Sequence, residues 1–336
     1  MMFLSSKQGR PGSTKMRNPL RLSSTRGAAW VMSITLLVSA CTRTPDPEPV
    51  KLTTWVDPFI GTGGHGHTFP GATLPFGMVQ LSPDTRLEGW DGCSGYHYTD
   101  NVVYGFSHTH LSGTGIADYC DILFMPTTGD VTLANGYPDK PDEGYASRFS
   151  KSREKARPGY YEVHLDDYDI DVALTATLRA GFHRYTYPPG REANVIVDLQ
   201  HRDKVLESRL AVVGPDEIEG HRVSSSWAKE QHVYFVARFS QPFATYGISR
   251  NDSVVEGVDE VSGTNVKGFF RFSTDAPVLV KVGISAVDTD GARSNLDAEI
   301  PHWDFAAVCD SADATWERAL SKIVVEGGKP AREAVE

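Results

Sequence analysis

Apolar and polar residues alternate along much of this chain. In His232 to Phe239, the residues Val233, Phe235, Ala237 and Phe239 share one face. In Val278 to Val287, so do Val278, Val280, Val282, Ile284 and Ala286. A period of two sends successive side chains to opposite faces, so each segment reads as a half-buried antiparallel strand. Further strand-like runs are Met78 to Ser82, Val102 to Ser107, Asp121 to Met125, Tyr160 to Leu165, Ile170 to Ala176, Phe182 to Tyr187 and Asn194 to Leu199. Ser208 to Val213, Glu217 to Ser225, Ala244 to Ile248 and Val266 to Phe272 follow. Many short strands separated by turn signals predict an all-β fold, a large antiparallel β-sandwich. Asn135 to Arg157, with Pro138, Pro141 and several charges, reads as an exposed loop.

The period changes near Asp290. Gly291 to Ala298 predicts a short helix. Trp303 to Val325 carries Trp303, Ala307, Trp316, Leu320 and Ile323 at helical spacings. A linker helix therefore follows the sandwich. Its apolar stripe must lie across the sandwich or lead into a helical domain.

The N-terminus has a different character. Lys15, Arg17, Arg21 and Arg26 precede an apolar run, Ala28 to Val38, too short to span a bilayer comfortably. It ends in Val38-Ser39-Ala40-Cys41, which reads as a bacterial lipobox. Residues 1–41 are thus expected to be a lipoprotein signal peptide. Cleavage before Cys41 and acylation of its sulfur would give an exported protein anchored to a membrane. An ordinary secretory signal with an incidental cysteine is the alternative. Residues 42–52 form a polar, Pro-rich tether.

The net charge of −10 argues against nucleic acid as a partner. Cys93, Cys120 and Cys309 remain after Cys41. One pair could be oxidised, leaving an odd thiol. Their spacing holds no CxxC and speaks against a zinc finger.

The chemistry concentrates between Val56 and Gly129, a stretch rich in Gly, His and aromatics and poor in Lys and Arg. Gly61 to Gly71 is a Gly/His loop. Gly89-Trp90-Asp91-Gly92-Cys93-Ser94-Gly95-Tyr96-His97-Tyr98 is an aromatic turn. Gly105 to Gly115 contains His108-Thr109-His110. Gly61-Thr62-Gly63-Gly64 lacks the Lys-Ser/Thr and following helix of a phosphate loop. His108 and His110, with His65 and His67, could ligate a metal, but hydrogen-bonding roles in a polar turn network fit them better; no HExxH or EF-hand pattern supports a metal. Trp90 beside Gly and Asp suits a sugar, whose apolar face stacks on indole while polar neighbours take its hydroxyls. A buried core Trp is the other reading. Glycoside hydrolysis needs two carboxylates about the scissile bond. Asp57, Asp84, Asp91, Asp118 and Asp121 lie in or near this stretch, and their spacing nominates no pair.

Three of these segments carry a resemblance: VDPFIGTGGHGHTFPGATLPFGMVQLSPD, GWDGCSGYHY and GFSHTHLSGTG. They resemble the N-terminal region of glycoside hydrolase family 92, the bacterial α-mannosidases. The likeness returns at Asn295 to Phe305 and Leu320 to Gly328. It implies a β-sandwich over residues 53–288, then a helical linker, 289–336, to an (α/α)₆ catalytic barrel. It also implies exo-acting, calcium-dependent, inverting hydrolysis of α-mannose-containing glycans. The family's catalytic Glu, its base Asp and its calcium ligands belong to that barrel, so no catalytic or metal residue is assigned here. The chain stops where the barrel is expected to begin. The expectation is a C-terminally truncated or split enzyme, inactive alone, with a separately encoded barrel as a candidate partner; a stand-alone carbohydrate-binding module is the alternative. What carries over is a pocket contribution. Trp90 would stack on the leaving-group sugar. Gly63, Gly64, His65, His67, Thr68 and Phe69 would line the pocket rim, and Cys93 and His97 would support Trp90.

Overall fold

The computed structural model describes residues 50–137 and 140–323. Cys41, the signal segment and the tail beyond Ile323 lie outside the described residues.

The strands are β1 (Ala72–Thr73), β2 (Gln80–Asp84), β3 (Val102–Val103), β4 (Gly105–Ser107), β5 (Leu123–Thr128), β6 (Ser147–Arg148), β7 (Glu154–Arg157), β8 (Tyr160–Leu165), β9 (Ile170–Ala176) and β10 (Ala180–Thr186). They continue with β11 (Ala193–Asp198), β12 (Lys204–Val212), β13 (Glu217–Ser225), β14 (Gln231–Phe239), β15 (Thr245–Arg250), β16 (Ser253–Val255), β17 (Glu260–Gly263), β18 (Val266–Phe272) and β19 (Val278–Ser285). Helices α1 (Thr289–Glu299) and α2 (Phe305–Leu320) follow.

The strands form two large sheets and a ribbon. One sheet runs β1-β2-β4-β5-β11-β18-β15-β16 and the other β17-β12-β13-β14-β19-β10-β9-β8-β7, while β3 pairs with β6. The pairings are antiparallel. The expected all-β sandwich is what forms.

Period two explains the main core. Val233, Phe235, Ala237 and Phe239 of β14 and Val278, Val280, Val282 and Ile284 of β19 all point into it. Phe239 meets Phe124 and Phe270 of the opposite sheet, with ring centroids 6.4 and 5.7 Å away. Each such side chain contributes about 1.5–3 kcal/mol by leaving water. Ala286 departs from the pattern and is exposed, because β19 ends at Ser285 and the chain turns into α1.

The other face of the nine-stranded sheet is also covered. Val236, Phe182, Ala173 and Ala180 pack there against Ala292, Leu296, Ile300, Phe305 and Val308 of the helical segment. The helices therefore lie across the sandwich. Asp288 and Asp304 cap them, accepting from the backbone N–H of Gly291 and Ala307. Glu317 of α2 accepts the N–H groups of Leu52 and Thr53, and Trp316 donates to the Thr73 carbonyl at 2.7 Å. The start of the described chain is thus tied to its last helix.

The expected loop at Asn135 to Arg157 is a correction. Tyr145 is fully buried, Ala146 and Phe149 nearly so, and the segment contributes β6 and β7. Tyr145 donates to Asp198 at 2.7 Å, and buried Glu154 accepts from the hydroxyls of Tyr96 and Tyr161. The charges suggested solvent, but one of them pairs inward and the aromatics anchor the segment.

Candidate functional site

The Gly61 to Gly71 segment forms a tight loop before β1. A Cβ at Gly66 would lie 2.0 Å from the Gly61 carbonyl oxygen, so only glycine permits this closure. The loop is pinned from outside itself. Gly113 N–H donates to the His67 carbonyl at 2.6 Å, and the Ser94 hydroxyl donates to the Thr68 carbonyl at 2.9 Å.

Trp90 stands beside this loop and is 56% exposed. The His67 ring meets the indole edge-on, centroids 4.4 Å apart and planes at 87°. The His65 ring lies 5.4 Å away and its Nδ1 is 2.7 Å from Asp91 Oδ1. That hydrogen bond holds the Asp91 carboxyl below its ordinary pKa. His67 Nε2 has no hydrogen-bond partner among the described residues. The result is a half-open aromatic shelf with imidazole, carboxylate and backbone polar groups along one side. It can stack an apolar ring face and hydrogen-bond the hydroxyls around it.

The residues nominated from sequence fall at different depths. Gly64, His65 and Trp90 reach the surface; Gly63, His67, Thr68 and Phe69 are half-buried. Cys93 is fully buried and its thiol donates to the Thr114 carbonyl at 2.8 Å. His97 is also buried, with Nε2 3.1 Å from the Gly64 carbonyl oxygen and Nδ1 2.8 Å from the Thr99 hydroxyl. Cys93 and His97 therefore influence a ligand only through the loops they hold. Both thiols near the site, Cys93 and Cys120, are free, as is Cys309.

A polar layer lies beneath the shelf. His110 donates Nδ1–H to the Gln80 carbonyl at 2.7 Å and directs Nε2 at Asp84 Oδ1, 2.9 Å away. His201 Nε2 lies 3.1 Å from the other Asp84 oxygen, a charge contact without hydrogen-bond alignment. Burial alone would raise the Asp84 pKa, but His110 and His201 outweigh it and hold the carboxyl well below the usual range. Burial would lower His110, but Cys120 and Asp84 outweigh it and push it up to about 10. Arg202 donates to Cys120 Sγ and to the carbonyls of Gly92 and Cys93, which fixes the turn carrying Trp90.

Two further groups complete this layer. Asp121 accepts from Arg222, Gln231 and the Thr109 hydroxyl, and both Asp121 and Arg222 have no exposed side-chain surface. His108 donates Nδ1–H to the Ile122 carbonyl at 2.7 Å, so its Nε2 accepts from His183 Nε2–H at 3.0 Å. His183 Nδ1 in turn accepts from the Tyr185 hydroxyl at 2.8 Å. Burial keeps both rings neutral: it holds His108 down at about 4 and His183 well below its ordinary value.

The acids read from sequence are largely committed. Asp84 and Asp121 are buried in charge pairs, Asp118 accepts the Ala228 N–H at 3.2 Å, and Asp57 caps the Phe59 N–H. Asp91 faces outward against His65. Sequence reasoning missed His201, Arg202 and Arg222. The dense polar run Gln200-His201-Arg202-Asp203 after an apolar strand was the available signal.

Among the described residues, Asp84, His110 and Cys120 are close enough together to hold an ion. One carboxylate with an imidazole and a thiol does not fit calcium, which takes six to eight oxygens.

Comparison with known proteins fits this geometry. The profile of the Glycosyl hydrolase family 92 N-terminal domain matches residues 55–285, and that of the family's catalytic domain matches residues 291–335. A family GH92 α-mannosidase from Bacteroides thetaiotaomicron superposes with a TM-score of 0.80 at 38% identity, over 84% of this chain and 39% of its own. A GH92 inverting mannosidase from the same organism superposes with a TM-score of 0.74 at 24% identity, over 85% of this chain and 38% of its own; at that identity it supports the fold alone. An uncharacterized secreted glycosidase of Arthroderma benhamiae is 26% identical over 90% of this chain and 42% of its own length. The chain thus spans less than half the length of these relatives. By the extent of the N-terminal domain match, and by a sandwich that presents Trp90 on a glycine-histidine rim, the chain belongs to glycosyl hydrolase family 92.

Proposed function

We propose that this chain supplies the sugar-gripping side of an exo-acting, calcium-dependent, inverting α-mannosidase acting on α-mannose-containing glycans. The exposed Trp90 indole, held edge-on by His67 and flanked by the His65–Asp91 pair, carries the reading. The indole stacks on the apolar face of the leaving-group sugar. His65, Asp91 and the backbone around Gly64 take its hydroxyls, with Gly63, Thr68 and Phe69 shaping the rim. A related GH92 α-mannosidase has been solved with mannoimidazole, which supports a mannose-like ligand.

Bond cleavage is assigned to polypeptide outside these residues. An inverting mechanism needs an acid and a base about 6.5–9.5 Å apart across the bond. Asp84, Asp118 and Asp121 are occupied in the scaffold and are not free to act as that pair. Calcium and its ligands belong to the remainder of the catalytic domain, since the donors here do not suit it. Phe76 is fully exposed beside Thr315 and Arg318 of α2, which supports a contact with the polypeptide that follows that helix or with a separately encoded barrel. A lipid anchor on Cys41 would hold the protein at a bacterial membrane after export, in keeping with a secreted relative.

Calorimetric titration with mannobiose tests the site. Binding at about millimolar Kd, weakened roughly tenfold or more by Trp90→Ala, is expected. An unchanged affinity in that variant would overturn the assignment of the shelf. On aryl α-mannosides with calcium the chain alone is expected to show no turnover. Binding without turnover even when a barrel is added would favour the second reading, a stand-alone carbohydrate-binding module.

A further inference from the structure

We propose that Trp227 is a second sugar-stacking platform, on which an α-mannose oligosaccharide held at Trp90 lays a more distant unit. The proposal rests on the reading of Trp90 above and extends it to longer glycans.

Trp227 lies in the five-residue turn Ser226 to Glu230 between β13 and β14, and its side chain is 73% exposed. That places a large apolar surface in water at a position where a small polar residue would serve the turn. It stacks on no ring and under no cation among the described residues. Trp303, by contrast, is covered by Lys281 Nζ at 4.1 Å and lies 6.2 Å from Phe182.

One loop braces both indoles. Residues 111–119 approach Trp90 at Gly115, where a Cβ would come 2.8 Å from the indole Nε1. The same loop is bonded to the Trp227 turn two residues later. The Ser226 hydroxyl donates to the Ala117 carbonyl at 2.5 Å, and Ala228 N–H donates to Asp118 Oδ2 at 3.2 Å. These bonds bracket Trp227 on both sides. Two residues of chain span at most about 7 Å, so the two attachment points are close.

The loop itself is fixed at several points. Gly113 N–H bonds the His67 carbonyl, Cys93 bonds the Thr114 carbonyl and Tyr119 N–H bonds Asp203. The indole of Trp90 and the turn that carries Trp227 are therefore both tied to one loop. Exposed Ile116 lies between the attachment points. Preorganised aromatic surfaces at fixed separation favour an extended ligand over a single ring, because the second contact is made without a second association cost.

The experiment is an ¹H–¹⁵N spectrum of the indole groups, with the Trp90 and Trp227 signals identified by their loss in Trp90→Phe and Trp227→Phe. Mannose is expected to shift the Trp90 signal alone, and α-mannotetraose to shift both. Trp227→Ala is expected to keep its Tm and its affinity for mannobiose, while losing about tenfold or more in affinity for mannotetraose. A Trp227 signal that stays still with mannotetraose while Trp90 responds overturns this inference and leaves the Trp90 reading standing. If neither signal moves, the Trp90 reading fails and takes the second platform with it.

Discussion

His65 and His108 both come from glycine- and histidine-rich segments, yet they sit in opposite surroundings. The first stands on the rim, mostly in solvent, paired with Asp91 beside the open face of Trp90. The second is sealed in the interior, and its two nitrogens are consumed by the Ile122 carbonyl and His183. The rim exposes polar groups such as His65 and Asp91 to a ligand, while the layer beneath is sealed from solvent. The difference shows why a histidine count does not locate a site. What matters is which imidazoles keep hydrogen-bonding groups at the surface, and that depends on partners from distant strands.

The comparison breaks most severely at Asp121. Asp121→Ala would leave Arg222 fully buried without its counter-charge. Removing one partner of a buried pair costs about 3–5 kcal/mol, a Tm loss of roughly 6–20 °C for a domain of this size. Arg222→Met, which removes the charge and keeps much of the volume, should cost less. Thermal unfolding checks both. If Asp121→Ala unfolds at the wild-type temperature, the lower layer is not the structural support described here.

The Asp84–His110 pair gives the next effect, visible against pH. His110 titrates at about 10 in the folded chain, above its unfolded value near 6.5. A raised pKa means the folded state binds the proton more tightly. The stabilisation is then complete below about pH 6.5 and is lost as pH rises toward 10. Asp84 stays ionised throughout that window, since its carboxyl is held well below the usual range. The Tm gap between wild type and Asp84→Asn should therefore be widest at or just below about pH 6.5 and narrow as pH approaches 10. A gap constant across that range would show that His110 is not held protonated by this carboxylate.

Much of this arrangement was legible in the chain, for identifiable reasons. Strands such as Tyr160–Leu165, Glu217–Ser225 and Val266–Phe272 announce themselves because alternation and β-branched or aromatic content agree there. The two helices were expected from the change of period near Asp290, whereas their capping residues, Asp288 and Asp304, came only with the structure. Trp90 could be picked as an exposed aromatic because its flanking glycines and aspartate are turn formers. Local pattern failed at Glu154, whose charge suggested solvent but which is satisfied by Tyr96 and Tyr161, the first of them 58 positions away. It failed likewise at Arg222, whose partner Asp121 lies 101 positions back. Buried charge is invisible to periodicity, because the periodicity sees only that the residue is polar. His97 and Cys93 were carried over with the family resemblance, but their depth below the surface came only with the packed loops.

The mildest test asks whether the rim is dispensable for the fold. His65 is mostly exposed and Asp91 partly so, and a solvent-exposed ion pair contributes little to stability because water and salt screen it. His65→Ala should therefore leave the Tm unchanged within measurement error. The same change removes a hydrogen-bonding group beside the indole and releases Asp91, whose carboxyl should then titrate closer to its ordinary value, since His65 is what holds it down. Weaker mannobiose binding with no thermal penalty is the expected pair of results, read by calorimetry and by unfolding on the same preparation. Were His65→Ala to lower the Tm as much as a substitution in the buried layer, rim and foundation would be one structural unit, and the contrast between His65 and His108 would lose its basis.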